Sequence, residues 1–138
     1  MIETIQDAII TALETITGVA TVGAWQGDIE DLLKTPQRLP ALQVIYRGAV
    51  FGEKAVIGVN RADHQMSFLV VLVAKNFKSR SAGADSCYTI IDGVRSELVG
   101  LKIAPYGFLW PAKEELLMAE GGLLVYGLSY NMNTNVTV

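Results

Sequence analysis

The chain has one cysteine, Cys87, and one histidine, His64, among 138 residues. A lone cysteine closes no internal disulfide. One His, one Cys and scattered carboxylates do not make a transition-metal site. Charged residues are 18% of the chain, below the roughly 25% of ordinary domains. Cations are not in excess: 11 Lys and Arg stand against 14 Asp and Glu, for a net charge of −3 and a pI near 5.1. That balance argues against a protein whose main task is gripping a phosphate backbone, because such grip needs clustered positive charge. Long hydrophobic runs are missing too. The longest, Phe68 to Ala74, is seven residues, where a membrane-spanning helix needs about 20. Met1-Ile2-Glu3 places an acid where a secretory leader wants a base, and no long apolar stretch follows. The expected location is therefore the cytoplasm.

What is present is apolar. Hydrophobic residues make up 51% and the mean hydropathy is +0.35. A chain of this length forms one domain, residues 1–138, and buries about two-thirds of the surface of its open form. A small domain this apolar and this poor in charge is expected to hide further surface against neighbours, as an oligomer or an assembly component.

Residues 2–16 place Ile2, Ile5, Ile9, Leu13 and Ile16 at helical spacing, with Glu3 and Asp7 near the positive end of the dipole. Residues 19–27 read as a short strand and residues 28–33 as a helical turn capped by Asp28. A loop bracketed by Pro36 and Pro40 precedes a strand over 41–47. Residues 50–59, broken by Gly52 and Gly58, suit an edge strand or hairpin. Residues 65–75 are the clearest strand, apolar on both faces and so covered on both. A polar loop follows over 76–83. A second helix spans about 84–99, with Cys87, Ile91, Val94 and Leu98 on one stripe and Gly100 as its stop. Pro105 and Pro111 bound a short stretch. Residues 114–118 and 123–130 read as two strands joined across Glu120-Gly121-Gly122, and the polar residues 131–138 read as a loose tail. The expected fold is α+β: a mixed, mostly antiparallel sheet of four to six strands with two main helices on one face.

Candidate chemistry is sparse. His64, near Arg61 and Asp63, reads as a surface-loop histidine before a strand, since a catalytic base needs a partner in place. Cys87 on an apolar helical stripe reads as a small buried hydrophobe. Glu114 and Glu115 alternate across a strand and point to opposite faces. No GxGxxG or GK[ST] loop and no Gly-x-Ser-x-Gly elbow occurs. No catalytic residue, cofactor site or metal site is assigned. Lys75, Lys78 and Arg80 make the only basic cluster, a contact with a negative partner surface or a solvated loop. Phe77 lies among these charges. Trp25, Phe51 and Trp110 stand in Gly- or Pro-flanked segments. Of these, Trp25, Phe51, Phe77, Lys78 and Arg80 are the candidate protein-contact residues.

Several segments, in order, resemble the small tail protein of Mu-like phages and prophages, itself similar to phage tail terminators. They begin with Met1-Ile2-Glu3-Thr4-Ile5-Gln6-Asp7-Ala8, Gly27-Asp28-Ile29-Glu30-Asp31-Leu32 and Pro40-Ala41-Leu42-Gln43-Val44. The strand Phe68-Leu69-Val70-Val71-Leu72-Val73-Ala74-Lys75-Asn76 and the helix Tyr88-Thr89-Ile90-Ile91-Asp92-Gly93-Val94-Arg95 come next. Ile103-Ala104-Pro105 and Val125-Tyr126-Gly127-Leu128 complete the set. Specificity lies in their order and spacing, since each is mostly a core pattern. The resemblance implies a structural protein of a contractile-tailed phage or prophage: an α/β domain closing with copies of itself into a sixfold ring on the tail tube. Implied partners are the tube protein, sheath and head–tail connector proteins, and DNA passing through the lumen without specific binding. Implied location is the virion tail, assembled in the bacterial host cytoplasm; no membrane is involved. Two such contacts at about 800 Å² each would use a substantial part of a surface of roughly 7,000 Å². Alternative readings are a head–tail joining protein of similar fold, a small-molecule-binding module, and a minor enzyme using His64 or Cys87.

Overall fold

A computed structural model describes residues 1–53, 58, 60–75 and 80–137. The elements in chain order are α1 (Ile2–Leu13), β1 (Thr21–Ala24), α2 (Ile29–Lys34), β2 (Ala41–Phe51) and β3 (Arg61–Lys75). They continue with α3 (Arg80–Leu98), β4 (Lys102–Ile103), β5 (Gly107–Glu120) and β6 (Leu123–Thr137). Six strands form one sheet in the order β1-β2-β3-β6-β5-β4. The β1–β2 pair is parallel and the others antiparallel. The architecture is mixed α+β, with more sheet than helix.

The two faces of the sheet follow from alternation along β3. Met66, Phe68, Val70, Leu72 and Ala74 share the main core cluster with Ile5, Ile9 and Leu13 of α1 and with Cys87, Ile90, Ile91, Val94 and Leu98 of α3. Leu69, Val71 and Val73 belong to a smaller cluster with Val125 and Leu32 of α2. The near-continuous apolarity of β3 thus has its cause: the apolar stripes of α1 and α3 share a cluster with one face, and Leu32 of the short α2 shares one with the other. The Gln6 side-chain amide donates to the Val44 carbonyl at 3.2 Å, tying α1 to β2.

Turn chemistry sets the boundaries. α1 ends at Leu13 rather than reaching Ile16, where the Thr15 hydroxyl donates back to the Ala12 carbonyl at 2.7 Å. Ile16 still packs on the core from the following turn. Gly121 and Gly122, with φ of 63° and 77°, close the β5–β6 hairpin as two successive left-handed residues.

Several expectations are corrected. α3 begins at Arg80, so the helix takes four residues of the anticipated polar loop. Residues 131–137 are not a tail but the outer half of β6, paired throughout with β3. Polarity hid a period of two, in which Asn131, Asn133 and Asn135 alternate with Met132, Thr134 and Val136. β5 runs straight through Pro111. This is tolerated because β4 reaches only Gly107 and Phe108, leaving Pro111 on a free edge where no donor is missed. His64 lies within β3, not in a loop, and is 8% exposed.

Candidate functional site

One exposed region of the sheet lies at the end where β2 and β6 finish and β3 and β5 begin, and β5 is exposed along its far half as well. On the face covered by helices, Phe51 stacks on the imidazole of His64, centroids 4.9 Å apart. Phe51 remains 59% exposed. These two line a groove of about 660 Å³ with Arg61, Asp63, Tyr106 and Asn133. Arg61 and Asp63 pair at 3.3 Å. His64 Nδ1 has no hydrogen-bond partner among the described residues. Among the described residues no acid bonds that nitrogen, and the buried ring stacks on Phe51.

On the opposite face, beyond the reach of α2, strand register builds two uncharged rows. One holds Val50, Gln65 and Asn133; the next holds Gly48, Ser67, Asn131 and Trp110. The Gln65 amide donates to Asn133 Oδ1 at 3.3 Å, and the Ser67 hydroxyl donates to Asn131 Oδ1 at 3.0 Å. Phe108 and Trp110 meet edge to face at 6.4 Å and border a pocket floored by Gln65, Asn131 and Asn133. Val50 at one sheet edge is 73% exposed, and Phe108 and Trp110 at the other are 54% and 57% exposed. Leu116 and Leu117 further along β5 are exposed as well, at 51% and 38%. Gly107 belongs to this corner: a Cβ there would lie 2.8 Å from the Asn133 carbonyl oxygen, so only glycine lets β5 start against β6.

The remaining polar groups are structural in character. Arg95 of α3 grips Glu114 of β5, with Nε donating to Oε2 at 2.9 Å, and also reaches Asp92 at 3.5 Å. The guanidinium hydrogen bond holds the Glu114 carboxyl below its usual range. Burial pushes the Tyr130 hydroxyl up to about 12, with Glu114 adding to the rise. Glu115, on the other face, pairs with Lys113 at 3.1 Å. The two neighbouring carboxylates therefore serve different faces, as alternation requires. Cys87 is fully buried, and burial raises its thiol pKa. Its labelling by a thiol reagent should be slower in the native protein than in urea by on the order of a hundredfold or more. Equal rates in the two states would contradict the buried placement. Among the described residues no group of three or more His, Cys, Asp or Glu could hold a metal ion, and no helix is long and apolar enough to cross a membrane.

The sequence-derived contact candidates are scattered. Trp25 is half-buried, packs on the smaller cluster and donates its indole N–H to the Asp28 carbonyl at 3.1 Å, so it anchors α2. Phe51 is exposed at the end of β2. Arg80 is the first residue of α3, its side chain lying outside the described set, as do Phe77 and Lys78. Val50, Phe108, Gln65, Asn131 and Asn133 were not singled out by sequence reasoning. The alternation of amides with Met132 and Thr134 is the signal that would have found Asn131 and Asn133; the edge residues Val50 and Phe108 leave none.

These features define an α+β domain with one end of its sheet exposed, uncharged at the centre and apolar at its margins. A family model for the phage tail terminator protein matches residues 4–137. The chain belongs to the phage tail terminator family and is a phage tail structural protein. A chain in the solved virion of a native gene transfer agent particle has the same fold: it is 15% identical, with 95% of this chain and 94% of that one covered, at a TM-score of 0.61. No curated protein matches.

Proposed function

We propose that this protein is the tail terminator itself. Copies close into a ring, expected to be sixfold, on the end of the tail tube. The ring halts tube growth and presents a surface to the head connector. Family membership supports the reading, and the single structural observation that carries it is the amount and kind of exposed surface. The monomer exposes 8253 Å², more than the roughly 7,000 Å² expected of a compact chain of this mass. The apolar part of it includes the sheet edges. Two contacts of about 800 Å² each would cover about a fifth of that area. A ring built of copies joined head to tail needs two different patches per copy and a rotation that closes.

The lumen follows from charge. With a net charge of −3 per copy, the ring offers phosphates few cations to exchange for counterions, so duplex DNA passes without being held. Tube, connector and, in a contractile tail, sheath are the protein partners of this role. The test is deletion of the gene, with micrographs of the resulting particles. Tubes of uncontrolled length without heads, restored to normal by the wild-type chain, are expected. Tubes of normal length joined to heads in the deletion would overturn the proposal.

A further inference from the structure

We propose that the aromatic corner at the start of β5 is a binding site for a neutral saccharide, a role independent of the ring reading above. The site is a pocket of about 440 Å³, within the roughly 300–1,000 Å³ of small-molecule sites. Three amides, Gln65, Asn131 and Asn133, form its floor, and Phe108, Trp110 and Pro111 border it. Register accounts for the meeting. Trp110 stands opposite Asn131 on β6, which stands opposite Ser67 on β3. Asn133 stands opposite Gln65. Gly107 lets the start of β5 close on Asn133 and so sets Phe108 and Trp110 beside the amides. β4 runs along the outer side of Phe108, at Lys102, and leaves that residue more than half exposed.

The hydrogen bonds inside the floor decide what it offers. Asn133 Oδ1 accepts from the Gln65 amide, and Asn131 Oδ1 accepts from the Ser67 hydroxyl. Both asparagines are thereby oriented with their Nδ2 donors unspent among the described residues, and Gln65 keeps Oε1 as an acceptor. Side chains already held in place lose little freedom on binding, so this floor is pre-organised for a ligand that both gives and takes hydrogen bonds. Elimination narrows the class further. The grooves beside His64, at α2 and between α3 and β5 all carry charged side chains, whereas the lining of this pocket carries none. On this face charge begins in the rows beyond, at Asp63 and Lys113. A phosphate, carboxylate or ammonium ligand would lack its counter-charge. A hydrocarbon would bury the amides unpaired. An added peptide strand would need the β5 edge, where Pro111 supplies no donor. Phe108 and Trp110 meet at 89°, so a flat base stacked on one ring leaves the face of the other unused, whereas a puckered sugar ring meets both. Its C–H bonds lie against the electron-rich aromatic faces. Its hydroxyls donate to Gln65 Oε1 and accept from the two asparagines.

The test titrates the purified full chain with maltoheptaose, cellohexaose, chitohexaose and mannohexaose, read by calorimetry and by tryptophan fluorescence. At least one should bind with a Kd on the order of 1 mM or tighter, and that Kd should not change with salt. Trp110→Ala should weaken the binding about tenfold or more, and Asn133→Ala about threefold or more. Both side chains are exposed, so both variants should keep the wild-type melting temperature to within about 2 °C. Trp110→Tyr, which keeps an aromatic face, should retain most of the affinity. Glu120→Gln, at the far end of β5, should leave it unchanged. Absence of binding by all four sugars would overturn the proposal, as would unaltered affinity in Trp110→Ala. Tighter binding of an oligothymidylate or a hexaproline peptide than of any of the sugars would also overturn it, and would assign the corner to bases or to peptide.

Discussion

Replacing Phe68 with alanine should cost about 3–5 kcal/mol of folding stability, the largest loss expected from a single truncation in this protein. Phe68 is 1% exposed at the middle of β3. It faces the main cluster, where α1 and α3 meet the sheet, and its ring leans on Tyr46 with centroids 5.3 Å apart. Its register neighbours are Tyr46 and Tyr130, so the deletion opens a void walled by rigid rings on neighbouring strands. Such walls collapse poorly, which places the cost toward the upper part of the range. For a domain of this size the melting temperature should fall by about 10–20 °C, read by calorimetry or a urea melt. Phe51→Ala provides the contrast. That ring is mostly in solvent, and its truncation should cost under about 1 kcal/mol. A loss below about 1 kcal/mol for Phe68→Ala would mean that the core does not lie on the face assigned to it.

The same contrast explains what was legible in the sequence. β3 and the stripe of α3 could be read because burial leaves a periodic trace: each buried position must be apolar, and the period reports the element. Phe68 and Leu98 announce themselves in this way. A sheet edge leaves no such trace. Whether Val50 or Trp110 is exposed depends on how far β1 and β4 extend beside their neighbours, and strand order is a tertiary property. The outer half of β6 escaped for a related reason. Asn131, Asn133 and Asn135 face an uncovered part of the sheet, so the strand alternates amide with apolar or hydroxyl and reads as polar overall. His64 was misplaced because β3 continues to Arg61, past the point where both its faces are apolar. Trp25, a contact candidate whose glycine-flanked segment also allowed inward packing, rests on the lesser core and bonds the Asp28 carbonyl through its indole N–H. The charge-poor composition carried an expectation of surface left over for contact, which the proposed ring takes up.

The second large effect is expected from the smallest residue in α3. Gly93 sits inside a 19-residue helix, where glycine forgoes about 1 kcal/mol relative to alanine. Contact with α1's trailing turn explains why it is there. A Cβ at position 93 would lie 2.9 Å from Ile16 Cγ2 and 3.6 Å from its Cγ1, and a β-branched side chain has little rotamer freedom with which to withdraw. Gly93→Leu should therefore lose about 2–3 kcal/mol from overpacking, despite the gain in helix propensity. Gly93→Ala sets the two effects against each other and should fall within about 1 kcal/mol of wild type. Pairing each with Ile16→Ala turns the argument into a double-mutant cycle, because the clash exists only while both side chains are present. Ile16→Ala alone should destabilise, since Ile16 packs on the main core. In the Gly93→Leu background it should instead restore part of the lost stability, a reversal of sign that a merely helix-breaking or solvent-facing role for position 93 would not produce. If the two changes simply add, α1 and α3 do not meet at this point. The hold of α1 on the sheet would then rest on Ile5, Ile9 and Leu13 and on the Gln6–Val44 hydrogen bond.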